Sequence, residues 1–185
     1  MDLQPTLAGE RLLLRPLRAE DRDALYAVAR DPLLWADHPE HERWREPVFN
    51  AHFATLLDRG GSLAVTVREN CTLIGVTRYQ YGSPDNGGTI EVGSTFLARS
   101  HWGGTTNREM KRLLLTHALR HVARVEFWAW QDNARSCRAL EKIGGRLLER
   151  VEQVEIAGMT FPHRVFEVTL ADFERGPLGQ GEEWR

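Results

Sequence analysis

Residues 91–119 read EVGSTFLARSHWGGTTNREMKRLLLTHAL, and the change of texture along them decides the fold. Residues 89–97 (TIEVGSTFL) are rich in β-branched and aromatic side chains and read as a strand. A polar stretch containing Gly103 and Gly104 follows. Met110, Leu113, Leu114, His117, Ala118, His121 and Val122 then recur at helical spacing, while Arg108, Lys111, Arg112 and Arg120 are expected to leave that face. The succession is strand, glycine-containing loop, and helix with a polar first turn. A helix start offers unpaired N–H groups and a partial positive charge, which suit a phosphate. Gly103 and Gly104 let backbone approach a ligand with no Cβ in the way. Neither G-x-G-x-x-G nor G-x-x-x-x-G-K-[ST] is present, so this is not a dinucleotide fingerprint or a P-loop. On the residues alone, Gly-Gly before a helix is also an ordinary turn.

Working outward, residues 62–68 and 72–81 alternate as strands, and SPDNGG (residues 83–88) turns the chain into the strand at 89–97, giving an antiparallel meander. Upstream, residues 11–15 form a strand closed by Pro16, and a helix runs from about Ala19 to before Pro32. Residues 31–47, with three Pro, two His and two Trp, read as a loop or irregular helical turns; Phe49, Phe53, Leu56 and Leu57 mark a second helix stopped by Gly60-Gly61. Downstream come a strand at 125–130, a helix that Asp132 or Asn133 can cap, and strands at 147–156 and 164–170. The order βααβββαβαββ predicts a mixed α+β fold: a mostly antiparallel sheet of about seven strands with helices on both faces. Residues 1–175 are expected to form a single domain and residues 176–185 a mobile tail.

Composition narrows the function. The 185 residues carry 24 basic and 26 acidic groups, a net charge of −2, which argues against a general nucleic-acid binder. Residues 99–150 nevertheless hold nine Arg, two Lys and five acids, which points to a local anionic ligand or to two differently charged faces. Arg108, Lys111, Arg112 and Arg135 are the cations nearest the glycine loop. Cys71 and Cys137 make no disulfide framework and read as free thiols of a cytoplasmic protein. The first residues lack a cationic start followed by a secretory apolar run, and no long apolar run predicts a membrane span. No metal site is expected: His117 and His121 have metal-like spacing but lie on the apolar stripe, and His38 and His41 lack a third ligand.

The segment at 91–119, together with the later DNARSCRALEKIGG (residues 132–145), resembles the GCN5-related N-acetyltransferase (GNAT) superfamily, within it the branch of ribosomal-protein N-terminal acetyltransferases. The resemblance runs from GERLLLRPLRAEDRDALYAV near the start to HRVFEVTL. It implies acetyl-CoA as cofactor, with the pantetheine arm between splayed strands, paired to the main chain of Phe96 and Leu97. It implies a pyrophosphate on the loop of Trp102, Gly103, Gly104, Thr105, Thr106 and Asn107, with Arg108, Asn133, Arg135 and Ser136 also at the cofactor. Thr105 stands where the family usually has Gly, Leu140 where many members have an acidic Tyr, and Ser94 where the branch often has a large aromatic.

Direct transfer needs no cysteine nucleophile. An acceptor amine, of reference pKa roughly 8 for an α-amine or 10.4 for lysine, needs a base. Glu91 is the first candidate and Ser136 the candidate proton donor to the departing sulfur, with Glu126 and His101 behind Glu91. Bland readings stand beside these: Glu91 paired with Arg78, and Ser136 satisfying backbone at a helix start. Trp35 and Trp44 either line the acceptor cleft or close the core. The predicted activity is N-acetylation of a protein N-terminus or a small-molecule amine. The alternative is an inactive acyl-CoA-binding sensor or interaction module. No nucleic acid or membrane partner is expected, and a homodimer is left open.

Overall fold

The computed structural model describes residues 1–83 and 88–179. Its elements are β1 (Leu7–Ala8), β2 (Leu12–Pro16), α1 (Arg22–Ala29), α2 (Glu46–Asp58), β3 (Ser62–Val67), β4 (Leu73–Ser83), β5 (Thr89–Leu97), α3 (Thr106–Ala118), β6 (Arg124–Trp130), α4 (Ala134–Lys142), β7 (Arg146–Ile156), β8 (Met159–Thr169) and α5 (Leu170–Arg175). Eight strands form one sheet in the order β1-β2-β3-β4-β5-β6-β8-β7. Every neighbouring pair is antiparallel except β5 and β6. The sheet is therefore mixed α+β and mostly antiparallel, as the element order predicts.

The alternation of each strand buries two apolar layers. One face of the sheet packs Leu14, Val65, Ile90, Val92 and Phe127 against Met110, Leu114 and Leu115 of α3 and Cys137 and Leu140 of α4. The other packs Ala64, Val76 and Phe96 against Leu25 of α1 and Phe49, Phe53 and Leu56 of α2. Helices thus cover both faces. Tyr79 fixes α3 to the sheet by donating its hydroxyl to the Leu114 carbonyl at 2.7 Å.

Three elements differ from the sequence reading. β1 is only two residues, too short for periodicity to reveal. β8 begins at Met159 rather than Arg164, with Pro162 inside it, and the Pro162 carbonyl accepts the Gln131 N–H at 3.1 Å. α5 is a helix where a strand end and tail were expected. Thr169 and Asp172 form its capping box, a Thr-x-x-Asp signal that was legible in the sequence. Leu178, 2% exposed, packs in the core beyond α5. The turn over residues 84–87 and the tail from residue 180 lie outside the described residues.

The start of α3 is fixed from the far side. Glu109 accepts the N–H groups of Arg11 (2.9 Å) and Leu12 (3.2 Å), tying the helix to β2. Gly9 passes so close to the Glu109 carboxylate that a Cβ there would collide with it.

Candidate active site

β5 and β6 pair only over Thr89↔Arg124, Ile90↔Val125 and Glu91↔Glu126, then part. Beyond that fork, β5 carries a bulge. Gly93 faces Arg78 and Phe96 faces Val76, so Ser94 and Thr95 together oppose Thr77. Ser94 takes a left-handed conformation (φ 47°) and donates its hydroxyl to Gln80 Oε1 at 3.1 Å. The bulge bends β5 at the fork. A cleft of about 750 Å³ opens there, bordered by Glu91, Phe96, Trp128, Trp130, Asn133 and Ser136.

Glu91 is 4% exposed. Its Oε1 accepts from Gln80 Nε2 at 3.0 Å, and its Oε2 is buried with no hydrogen-bond partner among the described residues. Burial pushes its carboxyl up to about 8, helped by the charge of Glu126 and opposed by the Gln80 bond, Arg78 and Lys111. The expected partner Arg78 donates instead to the carbonyls of Gly60 (2.8 Å) and Arg59 (3.2 Å), and Gln80 stands between it and Glu91.

The loop and the start of α3 divide their side chains. Gly103 adopts φ 72°, and the space about Gly103 and Gly104 is open. Thr105 makes no side-chain cap, so the first amides of α3 lack a capping partner. Its hydroxyl faces Arg11 at 3.2 Å. Thr105 and Arg108 line a separate hollow of about 220 Å³ with Arg112 and Pro177, and Arg108 donates to the Pro177 carbonyl. Trp102 donates to the Leu97 carbonyl at 2.9 Å, so that carbonyl is already engaged. The Arg135 guanidinium lies 3.7 Å from the centre of the Trp102 ring and joins the loop to the start of α4.

At α4, Asn133 caps the helix by accepting the Ser136 N–H at 2.9 Å. The Ser136 hydroxyl makes no hydrogen bond among the described residues and opens on the cleft. Leu140 packs in the core. Phe96 is buried against Trp35, with the rings edge-on at 5.0 Å. Trp35 both closes the core and lines the cleft, whereas Trp44 packs at the core's edge. Burial pushes the Cys137 thiol up, and Cys71 is exposed in a turn.

One expected cofactor cation is corrected. Lys111 is 5% exposed and does not face the loop's ligand side. Its ammonium lies 4.6 Å from the centre of the Phe127 ring, and burial lowers it to about 7 against the pull of Glu91. Lys111, Leu114, Leu115 and Ala118 share one helical face, so spacing placed it inward and only its charge argued otherwise.

Sequence reading missed the opposite wall. His38 and His52 line the cleft beside the Arg43–Glu40 ion pair (2.5 Å). Burial and the Arg43 charge lower His38 to about 3 and His52 well below 6.5, so both are neutral at pH 7. His163 donates from Nδ1 to the Phe161 carbonyl at 2.9 Å. Residues 31–47 form the irregular helical turns their composition suggests, at Pro32–Leu34 and His41–Trp44, but how these pack on the cleft was hidden; the His and Trp content was the available signal.

A family model described as an acetyltransferase (GNAT) domain matches residues 11–146. The chain belongs to this family. It is an N-acetyltransferase by that membership. The GNAT chain is similar in structure to a GCN5-related N-acetyltransferase from Brucella melitensis, at 22% identity and TM-score 0.74, over 96% of this chain and 83% of that one. It is also similar to Mycobacterium smegmatis RimJ in complex with CoA-disulfide, at 17% identity and TM-score 0.69, over 94% and 91% of the two chains. A third is the microcin C7 self-immunity acetyltransferase MccE in complex with acetyl-CoA and AMP, at 14% and 0.69, over 91% and 98%. These likenesses show the fold. No curated protein sequence matches the chain. Among the described residues no helix is long and apolar enough to cross a membrane.

Proposed function

We propose that this GNAT chain is a cytoplasmic enzyme, a single domain whose core extends past residue 175 to Leu178, that transfers acetyl from acetyl-CoA directly to an amine. The acceptor we assign is a protein N-terminal α-amine, as in the ribosomal-protein branch. The observation that carries the reading is the fork: β5 and β6 part just past Glu91, and Glu91, Phe96, Asn133 and Ser136 border the space that opens.

The residues fit acetyl-CoA. The freed edge of β5 at Phe96 and Leu97 offers main-chain groups, the engaged Leu97 carbonyl excepted, to an amide-bearing arm. The open backbone at Gly103 and Gly104 and the uncapped amides of Thr105, Thr106, Asn107 and Arg108 suit a pyrophosphate beside Trp102. Asn133 and Arg135 hold the opposite side. When bound, acetyl-CoA supplies an acetyl thioester at the fork.

The rest is proton handling. An α-amine arrives largely as ammonium near neutral pH. Near pH 8, where its carboxyl titrates, the ionised Glu91 takes one proton through Oε2, which has no competing donor, and leaves a neutral nucleophile. The second N–H proton, lost after the amine attacks, replaces the one that Ser136 gives to the departing sulfur, and Glu91 returns its own proton to solvent. The cleft walls carry aromatic rings and neutral imidazoles, and their acids Glu40, Glu91 and Glu155 are matched in number by Arg43, Arg59 and Arg78, which suits a peptide end better than a polyamine.

Calorimetry with CoA and mass spectrometry of peptides after incubation with acetyl-CoA test the reading. CoA binding and one acetyl group on the peptide N-terminus are expected. Acetylation of polyamines with none of peptides would overturn the acceptor. CoA binding with no transfer to any amine would favour the sensor module. Ser136→Ala should lower kcat by about 10²-fold, the lower range for a positioned proton donor, with CoA affinity retained.

A further inference from the structure

Glu91 is the end of a row. Its parallel register partner is Glu126, the last matched pair before the fork, and Glu126 in turn registers with Glu167 on β8. Residues directly opposite on neighbouring strands share a face, with strands about 4.8 Å apart. Three carboxylates therefore lie side by side across β5, β6 and β8, at 4%, 7% and 4% exposure. Two of them have arginines. Glu167 pairs with Arg146 and with Arg124 (3.5 Å), and Glu126 pairs with Arg150 while accepting from Trp128 Nε1 at 3.1 Å. Among the described residues Glu91 has no ion pair within 4 Å.

We infer that Glu126, anchored by Arg150 and Trp128, is a positioning residue that sets how readily Glu91 takes a proton from the acceptor. This rests on the reading of Glu91 as the base. Arg150 also holds Glu152 at 2.7 Å, which fixes its guanidinium over the row from the edge strand β7. A negative charge beside an unpartnered carboxylate makes loss of its proton harder and gain easier. The other groups acting on Glu91 are Arg78 from β4 and Lys111 from α3, with His52 and Arg59 lining the same cleft. Both cations favour the charged form, so Glu126 is the neighbour that opposes them. The dyad thus keeps Glu91 basic enough to take a proton from an α-ammonium.

The test is a ¹³C-carboxyl NMR titration of the full chain, with the Glu91 signal assigned by its loss in Glu91→Gln. Acetyl transfer to one fixed peptide is followed over the same pH range, so that titration of the acceptor cancels between variants. Glu126→Gln should move the Glu91 midpoint down by about one pH unit, the scale of a neighbouring charge. Arg150→Gln, which exposes Glu91 to a less compensated Glu126, should move it up. The rising limb of the transfer rate should follow both shifts. Should Glu126→Gln fail to fold, Arg150→Gln carries the test alone. A midpoint unmoved in the folded variants, or moved the same way in both, overturns the inference. Shifted midpoints together with wild-type transfer by Glu91→Gln would instead remove Glu91 from the reaction and leave the coupling standing.

Discussion

Glu91 and Glu167 are equally buried, share one face of the sheet, and are separated only by Glu126, yet their surroundings are opposite. Glu167 sits among arginines that solvate its charge inside the protein, whereas Glu91 faces a cleft with one oxygen unpartnered and one amide for company. The difference teaches that burial does not mark function here. A buried carboxylate with arginine partners strengthens the sheet, while one left unpaired at an opening holds a proton the protein can exchange. The same contrast reassigns the basic residues. Arg124, Arg146 and Arg150 serve the row and Arg99 pairs with Asp31 at 2.6 Å, so much of the cationic excess at residues 99–150 answers internal acids.

The largest effect that can break the comparison is on turnover. Glu91→Gln should lower kcat/KM for acetyl transfer by about 10²-fold or more, the range of a general base, while Glu167→Gln stays within a few-fold of wild type. Equal losses in the two variants would erase the functional distinction. Thermal unfolding should show the reverse order. Glu167→Gln removes a carboxylate from two half-exposed arginines, which solvent screens, and should cost about 1 kcal/mol, or roughly 2–4 °C in Tm. Glu91→Gln should instead raise Tm at pH 8.

That gain should depend on pH in a definite direction. The Glu91 carboxyl rises from 4.5 to about 8 on folding, so the native state holds a proton that the unfolded chain releases between those values. Wild type therefore loses stability as pH climbs through that window, and Gln does not. The difference in Tm should be smallest near pH 4.5 and level off above pH 8, as read by calorimetry at several pH values. An effect of opposite pH dependence concerns Lys111. Burial lowers it from 10.5 to about 7, so Lys111→Met should stabilise the fold most below pH 7 and progressively less toward pH 10.5. A gap independent of pH in either variant would show that charge burial is not its cause.

The sequence disclosed the two halves of the site unequally. Each strand's alternation placed Glu91 opposite Val92 in facing, and the cap at Asn133 with Ser136 behind it was readable from local order. What was hidden depends on register between distant segments. Glu126 lies 35 residues beyond Glu91, across α3, and nothing local says that the two stand side by side. Gln80 meets Glu91 as its partner on the neighbouring strand, and Ser94 reaches Gln80 through a bulge, which counts one residue differently on two strands. Lys111 was misread for another reason: its place in the helical repeat was correct for burial, and its charge was given more weight than its spacing. His38 and His52 come together through tertiary packing of the Pro-rich segment on α2, which no repeat announces.

The central claim is that the unpaired carboxylate at the fork performs the proton transfer that makes an amine acetylatable. Its most direct measurement is acetyl transfer to a peptide N-terminus by wild type and Glu91→Gln, alongside calorimetric CoA binding by both. Transfer reduced by about 10²-fold with CoA affinity unchanged is the expected result. Wild-type transfer by Glu91→Gln, in folded protein that binds CoA, would contradict it.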